Sequence, residues 1–494
     1  MVGLFPRLPF RRYQAVGSTR VPAGTRIGTW DGALGLIDSR ATVWPLGREG
    51  GSGHQIEWWI GADDRWYAPA TETGVRQVRP GPAPVLETRM RVSGGDIVAT
   101  TWAAQSDGSS GPAVVVELTN EASVPVAVAV TVRASAGGRI RRVAVDGRRL
   151  MVDGFPSVVL DRDPGRFSLV DSGRDLWEEV TSGLAVKEAP APVRCRIGAA
   201  AGALIVPLPH RTTLRFAVPA DDLVDNPSTS LPPMDRVVAG WSSRLDAAAA
   251  VDLPDGVDVH RALVDLLLAD SSSAVVVELT RWGFGDEAAH RLGKSWLGSG
   301  IERLEAAAAL WTLARDVNHF DGSSASSQGV PLEEVIRAGG DGMEGRRAVA
   351  SLAGLFEAMG DTRAAADALL LGGGISRSGE PALSVAALGP AAELRALADR
   401  LVRRSVDGLD LLVDVPDGWF GQPIEVHGLV TSVGRLGFAI RWHGTRPALL
   451  WQLEPHPGEG QVVLRVPGLD SAFSSSELAG EALLAAPAGR LLKP

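Results

Sequence analysis

Cysteine is nearly absent from this chain, since Cys195 is the only one. A single cysteine excludes an intramolecular disulfide and a zinc site built from cysteines. Cys195 alternates with Arg194 and Arg196, as residues of a strand do, and no histidine lies near it in sequence. We therefore predict a buried strand thiol and not a catalytic nucleophile.

Long apolar runs are also missing. No segment approaches the ~18 consecutive apolar residues that a membrane span requires. The first residues, MVGLFPRLPFRRYQAVG, place arginines and prolines where a signal peptide has an unbroken apolar core. From these absences we expect no membrane association and a cytoplasmic location.

Excess positive charge is lacking, because the formal net charge of the 494 residues is −9. Nucleic-acid binding needs a basic face, so it is not expected. Arg139, Arg141 and Arg142 cluster, but they alternate with apolar residues like a solvated strand. The histidines are spaced too irregularly for a metal site, and no glycine-rich phosphate loop or serine elbow is present. We predict neither a metal nor a cofactor.

What the sequence does contain is a hydrophobic period that changes twice. Residues 26–219 show short alternating runs separated by turn clusters such as Ser106–Ser109, which is typical of a β sandwich. Residues 257–406 show helical spacing, with apolar positions three and four apart. Residues 407–494 alternate again. The sequence therefore predicts a multidomain α+β protein.

We predict four parts: a β sandwich over 1–219, a linker with a helix over 220–256, an α-helical domain over 257–406, and a small antiparallel β domain over 407–494. Prolines over Pro227–Pro233 are expected to break any element, and Asp235–Ala250 is expected to be helical. Leu411–Val413 is expected to be a strand. Within the helical domain, Asp286 is expected to cap a helix over Glu287–Leu292.

Two stretches resemble a known family. DGLDLLVDVPDGWFGQPIEVHGLVTSVGRLGFAIRWHG (407–444) resembles the small β domain that follows the helical toroid of six-hairpin glycosidases, the group of glucoamylases, α-rhamnosidases and disaccharide phosphorylases. VVVELTNEASVPVAVAVTVRA (114–134) resembles their N-terminal supersandwich. The resemblance implies a supersandwich, an α/α toroid and a β domain acting on a carbohydrate.

The helical region is shorter than the resemblance implies. The family's toroid has twelve helices, whereas ~150 residues accommodate about six or seven helices of ~11 residues with their connections. The toroid is therefore partial, or completed by another chain in a homo-oligomer, or replaced by a simpler stack.

Carboxylates are the candidate catalytic residues, because glycosidases place two of them on either side of the scissile bond. The long connection over 318–342 and the helix after it carry Glu333, Asp341 and Glu344, and Glu302 opens an earlier helix. Asp341 and Glu344 also have the spacing of a capping box, and the helix dipole explains Glu302 equally well. Both interpretations stay open.

Aromatic residues near turns are the candidate sugar contacts, because sugar rings present apolar C–H faces. These are Trp282 and Trp296 around a helical hairpin and Trp59 and Trp66 in the first domain, with His319 in the long connection. Packing roles are the alternative for each.

Two functions remain open from the sequence. The first is a carbohydrate-active enzyme that acts on glycosidic bonds through acid and base carboxylates. The second is a catalytically inactive glycosidase-like protein that serves as a sugar-binding or assembly module.

Overall fold

The computed structural model describes residues 23–46, 53–63, 65–105, 111–220, 226–294, 300–320, 330, 332–338, 343–371 and 389–487. The chain divides into two compact units, Met1–Gly240 and Trp241–Pro494. Together they make a mixed α+β protein with several mainly antiparallel sheets and a run of helices. The four-part division by sequence stays a prediction.

The described part of the first unit is built mainly of strands. They are β1 (Thr25–Thr29), β2 (Gly32–Ile37), β3 (Val43–Pro45), β4 (His54–Gly61), β5 (Trp66–Tyr67), β6 (Arg76–Val78), β7 (Leu86–Val92), β8 (Gly95–Ala104), β9 (Ala113–Asn120), β10 (Val126–Ala134), β11 (Arg142–Asp146), β12 (Arg149–Val152), β13 (Phe155–Leu160), β14 (Arg166–Val170), β15 (Val193–Arg194), β16 (Ala201–Leu208) and β17 (Thr213–Pro219). One sheet has the order β1-β2-β3-β4-β10-β16-β14, with β5 beside β4, and the other has the order β15-β11-β12-β13-β17-β9-β8-β7-β6.

The two sheets pack face to face, because side chains from both form one buried cluster. Trp58 of β4, Val130 of β10 and Phe216 of β17 belong to it. Alternation along each strand sends every second residue into this layer. The predicted β sandwich is therefore present in the first unit.

A short helix interrupts the strands of the first unit. It is α1 (Leu176–Thr181), capped by Asp175, whose side chain accepts from the amide of Glu178. Leu176 of α1 packs with Trp59 in a second buried cluster, on the opposite face of β4 from Trp58. Helix α1 was not predicted, because the alternating sequence pattern of this region indicated only strands.

The segment after the sandwich contains two helices, α2 (Pro227–Ser230) and α3 (Met234–Leu245). The expectation that Pro227–Pro233 breaks every element was wrong, because proline suits the first position of a helix and the Asn226 side chain accepts from the amide of Ser228. The helix expected up to Ala250 ends at Leu245 instead.

The helices of the second unit, after α3, are α4 (Val259–Leu267), α5 (Ser273–Arg281), α6 (Gly285–Lys294), α7 (Gly300–Ala314), α8 (Leu332–Ala338), α9 (Met343–Ala358), α10 (Thr362–Leu371) and α11 (Pro390–Leu401). Helix α7 contacts α5, α6, α8 and α9, and α11 contacts α4 and α5. The hairpin of α9 and α10 is as predicted: Gly360 has φ +82° and Asp361 accepts from the amide of Ala364. Asp286 lies inside the first turn of α6 and is not its cap.

The strands of the second unit form two sheets. The strands are β18 (Ala250–Asp252), β19 (Val402–Arg404), β20 (Gly408–Leu411), β21 (Ile424–Thr431), β22 (Gly434–His443), β23 (Arg446–Pro455), β24 (Val463–Val466), β25 (Asp470–Ser475) and β26 (Ala479–Leu483). Their orders are β18-β21-β22-β23-β26 and β19-β20-β24-β25. Strand β18 precedes the helices in sequence yet supplies the edge of the first of these sheets.

Two details of the last segment differ from expectation. The β domain is not wholly antiparallel, because β20 and β24 pair in parallel. Their connection passes through the other sheet, and a crossover of this kind permits parallel pairing where a hairpin does not. The strand expected over Leu411–Val413 ends at Leu411, because Leu412 has φ +49° and leaves the extended conformation.

Candidate ligand-binding site

A cavity of about 280 Å³ lies in the second unit, where the helices meet the strands. Helices α5 and α7 both contact β21, and Val430 of that strand packs on Val277, Ala309 and Leu313. The cavity is lined by Arg281, Leu313, Ala398, Asp399, Val402, Arg403, Arg404, Leu409, Leu429, Val430, Thr431 and Ser432. Half of these residues are apolar and the other half carry charge or a hydroxyl group.

Arg281 and Asp399 form an ion pair at the cavity. Arg281 ends α5, and its Nη1 donates to Oδ1 of Asp399 on α11 over 3.0 Å. The Arg281 side chain is 14% exposed and that of Asp399 is 44% exposed. The pair therefore joins two helices at the border between protein and solvent.

Glu278, one helical turn before Arg281, is completely buried. Its Oε1 accepts from Nε of Arg395 over 3.1 Å and lies 3.7 Å from Nη1 of Arg281. Burial raises the pKa of Glu278, and the two arginines oppose this effect. Among the described residues its Oε2 has no hydrogen-bond partner. A network of two acids and two arginines thus holds α5 against α11.

The turn after β21 brings two hydroxyl groups to the cavity. Thr431 Oγ1 donates to the carbonyl of Gly434 over 2.7 Å and accepts from the amide of Val433. Ser432 Oγ is buried, and within the described ranges it has no hydrogen-bond partner. Since burying an unpaired hydroxyl costs free energy, Ser432 is the polar group here whose bonding is incomplete.

His456 forms a hydrogen bond with the backbone of the same turn. Its Nε2 lies 3.0 Å from the carbonyl oxygen of Thr431. A carbonyl only accepts, so Nε2 carries the proton. Burial lowers the pKa of His456, and the charge of Arg315 lowers it further. The neutral imidazole is therefore the form that fits this position.

The chemistry of the cavity suits binding more than bond cleavage. Its lining contains three arginines, one aspartate and two hydroxyl residues. Guanidinium groups and hydroxyls donate hydrogen bonds to oxygen-rich ligands. In the part of the chain that the structure describes, no group of three or more histidine, cysteine, aspartate or glutamate side chains could hold a metal ion.

Of the predicted catalytic carboxylates, only Glu302 has a side chain that the structure describes, and it is not among the residues that line this cavity. Glu302 is exposed in the first turn of α7. Glu333 is in α8 and Glu344 in α9, but their side chains lie outside the described residues, as does Asp341 altogether. Their catalytic roles stay predictions.

The predicted sugar contacts that the structure describes belong partly to the first unit and partly to the second. Trp282 is fully buried at the end of α5, so a sugar could reach its ring only if the surroundings moved. Trp59 is buried too, with its Nε1 donating to Glu57 and its ring edge-on to Trp177, while Trp66 is half-buried nearby. Trp296 lies outside the described residues.

His319 is buried next to an exposed acid. Its Nε2 lies 3.3 Å from Oδ1 of Asp286, whose side chain is 89% exposed. Among the described residues its Nδ1 has no hydrogen-bond partner. The predicted role of His319 in substrate binding is neither supported nor opposed by this contact.

Sequence reasoning missed the residues that do line the cavity. One signal was available on α11, where Arg395 and Asp399 are spaced four apart and so share a helix face. A second was Glu278 within the apolar run AVVVELTR. A buried acid on one helix and oppositely charged residues on another predict an ion pair between the two helices. Neither signal predicts that Ser432 lines the cavity.

Two solved glycoside hydrolase structures are similar to this chain at low sequence identity. No protein-family model matches the chain, and no curated protein matches it. A bacterial glucoamylase solved in complex with acarbose is similar over 80% of this chain and 70% of its own, with 8% identity and a TM-score of 0.44. A GH92-family glycosyl hydrolase is similar over 67% of this chain at 10% identity, with a TM-score of 0.20, and the chain covers 51% of its length. At these TM-scores neither likeness bears on the fold or function of this chain.

None of the described helices is long and apolar enough to cross a membrane.

Proposed function

We propose that this chain is a glycosidase-like protein that binds a carbohydrate in the cavity between α5, α11 and β21, without cleaving glycosidic bonds there. One observation carries the proposal. Among the described residues, the cavity is lined by a single carboxylate, Asp399, and that carboxylate is hydrogen-bonded to Arg281.

A lone carboxylate argues against hydrolysis for a mechanistic reason. Glycoside hydrolysis uses one carboxyl group as the proton donor and a second as base or nucleophile, with the two separated by about 5 to 10 Å. Glu278 is the next acid, but it is completely buried and bound to Arg395. The cavity therefore offers hydrogen bonds to a ligand without an acid–base pair.

The size and lining of the cavity favour a small sugar. At about 280 Å³ it lies near the lower limit of the ~300–1,000 Å³ typical of small-molecule sites, so it suits one or two rings. Leu313, Val402 and Leu429 supply apolar walls for C–H faces, and the arginines and Ser432 supply donors for hydroxyl oxygens. The sequence resemblance to six-hairpin glycosidases supports a carbohydrate over other small polar ligands.

The test measures binding and turnover on the same protein. Isothermal titration calorimetry of the full chain with monosaccharides and α-linked disaccharides is run beside a reducing-sugar assay, with and without phosphate. We expect binding without turnover. Ser432→Leu fills the cavity and should abolish binding, whereas Ser243→Leu, an exposed position on α3, should leave it unchanged.

Turnover would overturn the proposal in favour of the enzyme. If reducing sugar were released and Asp341→Asn or Glu344→Gln abolished its release, those residues would be the acid and base. Sugar binding that Ser432→Leu does not alter would place the binding site elsewhere.

A further inference from the structure

The cavity has a charge opposite to that of the chain. Three arginines and one aspartate line it, which gives a formal sum of +2, whereas the whole chain carries −9. Behind the lining, Glu278 and Arg395 balance each other. A positive cavity in an acidic protein concentrates anionic ligands and repels cations.

The arginines differ in how far the protein already uses them. Arg281 is bound to Asp399 and lies beside Glu278, so protein carboxylates balance its charge. The hydrogen bond of Arg403 uses its Nε, which donates to the backbone carbonyl of Asp399 over 3.0 Å. Its two terminal nitrogens are not needed for that bond.

Arg404 is the least committed cation of the lining. Within the described residues its guanidinium makes no hydrogen bond, although its charge helps to lower the pKa of the exposed Asp407. The neighbouring Asp407 is held by Arg465 through two hydrogen bonds of 2.8 and 2.7 Å. Arg404 and the terminal nitrogens of Arg403 are therefore available to a ligand.

Ser432 adds an independent observation on the same cavity. Its buried hydroxyl has no protein partner among the described residues, so a ligand oxygen would complete its hydrogen bonding. Arginine binds carboxylate and phosphate oxygens through charge-assisted bonds, and a neighbouring hydroxyl adds a directional contact.

We infer that the ligand is an acidic monosaccharide, a sugar bearing one carboxylate or phosphate group, and that Arg403 and Arg404 bind this group while Ser432 bonds another ligand oxygen. This inference rests on the proposed carbohydrate-binding function of the cavity. It adds the ligand's charge and names the residues that select it.

Calorimetry of the full chain with glucuronate, glucose 6-phosphate, glucose and inorganic phosphate tests the inference. We expect one or both acidic sugars to bind at least tenfold more tightly than glucose, and the preferred one identifies the anionic group. Arg403→Ala and Arg404→Ala should each weaken that binding about tenfold or more, because each removes charge-assisted hydrogen bonds to the anionic group. Arg347→Ala, an exposed arginine on α9, should not change it.

Each of the other outcomes contradicts either this inference or the proposed function. Glucose binding as tightly as the acidic sugars, with no effect of the Arg403 and Arg404 substitutions, would overturn this inference and leave the proposed function intact. Inorganic phosphate binding as tightly as glucose 6-phosphate would show that no sugar is recognised. Failure of all four ligands to bind would overturn both proposals. Because Arg403 and Arg404 are exposed, their substitution should not disturb the fold. Circular dichroism of every variant checks this, and Arg403→Lys, which keeps the positive charge, is the conservative control.

Discussion

Arg281 of α5 and Asp399 of α11, which are 118 positions apart in the chain, form an ion pair with Nη1 of the arginine 3.0 Å from Oδ1 of the aspartate. Glu278 and Arg395 lie one turn before each partner and repeat the contact with the charges exchanged. Helices α5 and α11 are therefore joined by two ion pairs, one buried and one at the cavity.

The buried pair should matter most for stability. Glu278→Ala leaves Arg395 in the interior without its carboxylate, and breaking one side of a buried pair costs about 3–5 kcal/mol. Urea unfolding measures this loss. Glu393→Ala, an exposed acid on α11, should stay within about 0.5 kcal/mol of the wild type. Equal losses in the two variants would show that the buried pair adds no specific stability.

The pair at the cavity should matter most for the ligand. Asp399→Asn keeps the shape of the side chain but removes the one negative charge that the described residues bring to the lining. Because Asp399 is 44% exposed, we expect a stability loss of no more than about 1 kcal/mol.

For an acidic sugar, Asp399→Asn should tighten binding roughly two- to fivefold, the equivalent of about 0.5–1 kcal/mol of relieved repulsion. Asp367→Asn on α10 is the control, because it changes the net charge of the chain equally and lies on an exposed helix face. Weaker binding in Asp399→Asn than in the control would mean that the carboxylate contacts the ligand favourably.

Periodicity predicted most of the elements because it follows directly from burial. The valine–alanine alternation around Val126–Ala134 forms a strand that is buried on both faces, and the helical spacing of Thr362–Leu371 forms a helix that is buried on one. The short helix α1 was not predicted. Helix α1 depends on the cap made by Asp175 and on packing against β4, and neither feature leaves a period in six residues.

Pairing between distant segments could not be predicted from the sequence. Strand β18 has three residues, and only its ladder with β21, more than 170 positions later, makes it a strand. The cavity depends on the same long-range contacts. Its hydroxyls come from a turn after β21 and its arginines from α5 and β19, so no local motif contains them.

The two adjacent hydroxyl residues of that turn should respond differently to removal. Thr431→Val loses a donor to Gly434 and an acceptor for Val433, and we expect a stability loss of about 1–2 kcal/mol. Ser432→Ala removes a buried hydroxyl that has no partner among the described residues, so stability should be unchanged or slightly higher. Thermal and urea unfolding of both variants measure this difference, and a larger loss in Ser432→Ala would mean that its hydroxyl is bonded in solution.

His456 should make the stability of the second unit depend on pH. Its pKa is lowered by burial and by Arg315, relative to roughly 6.5 in an unfolded chain. As the pH falls below that value, the unfolded chain binds a proton that the folded chain does not accept until its own lower pKa is reached. The stabilising contribution of the neutral imidazole is therefore present above about pH 6.5 and is lost as the pH falls towards the folded pKa.

The groups around the His456 imidazole determine how strongly the urea midpoint of each variant should depend on pH. Burial and Arg315 disfavour the charged ring and lower its pKa, whereas the backbone hydrogen bonds with Thr431 and Leu313 and the charge of Glu459 oppose this shift. His456→Gln can still donate to Thr431 but does not titrate, so its urea midpoint should fall less than that of the wild type between pH 7 and pH 5. His443→Gln, an exposed position at the end of β22, should retain the wild-type slope. Identical slopes in all three proteins would show that His456 titrates alike in the folded and unfolded chains, and that its burial against the turn does not hold it neutral.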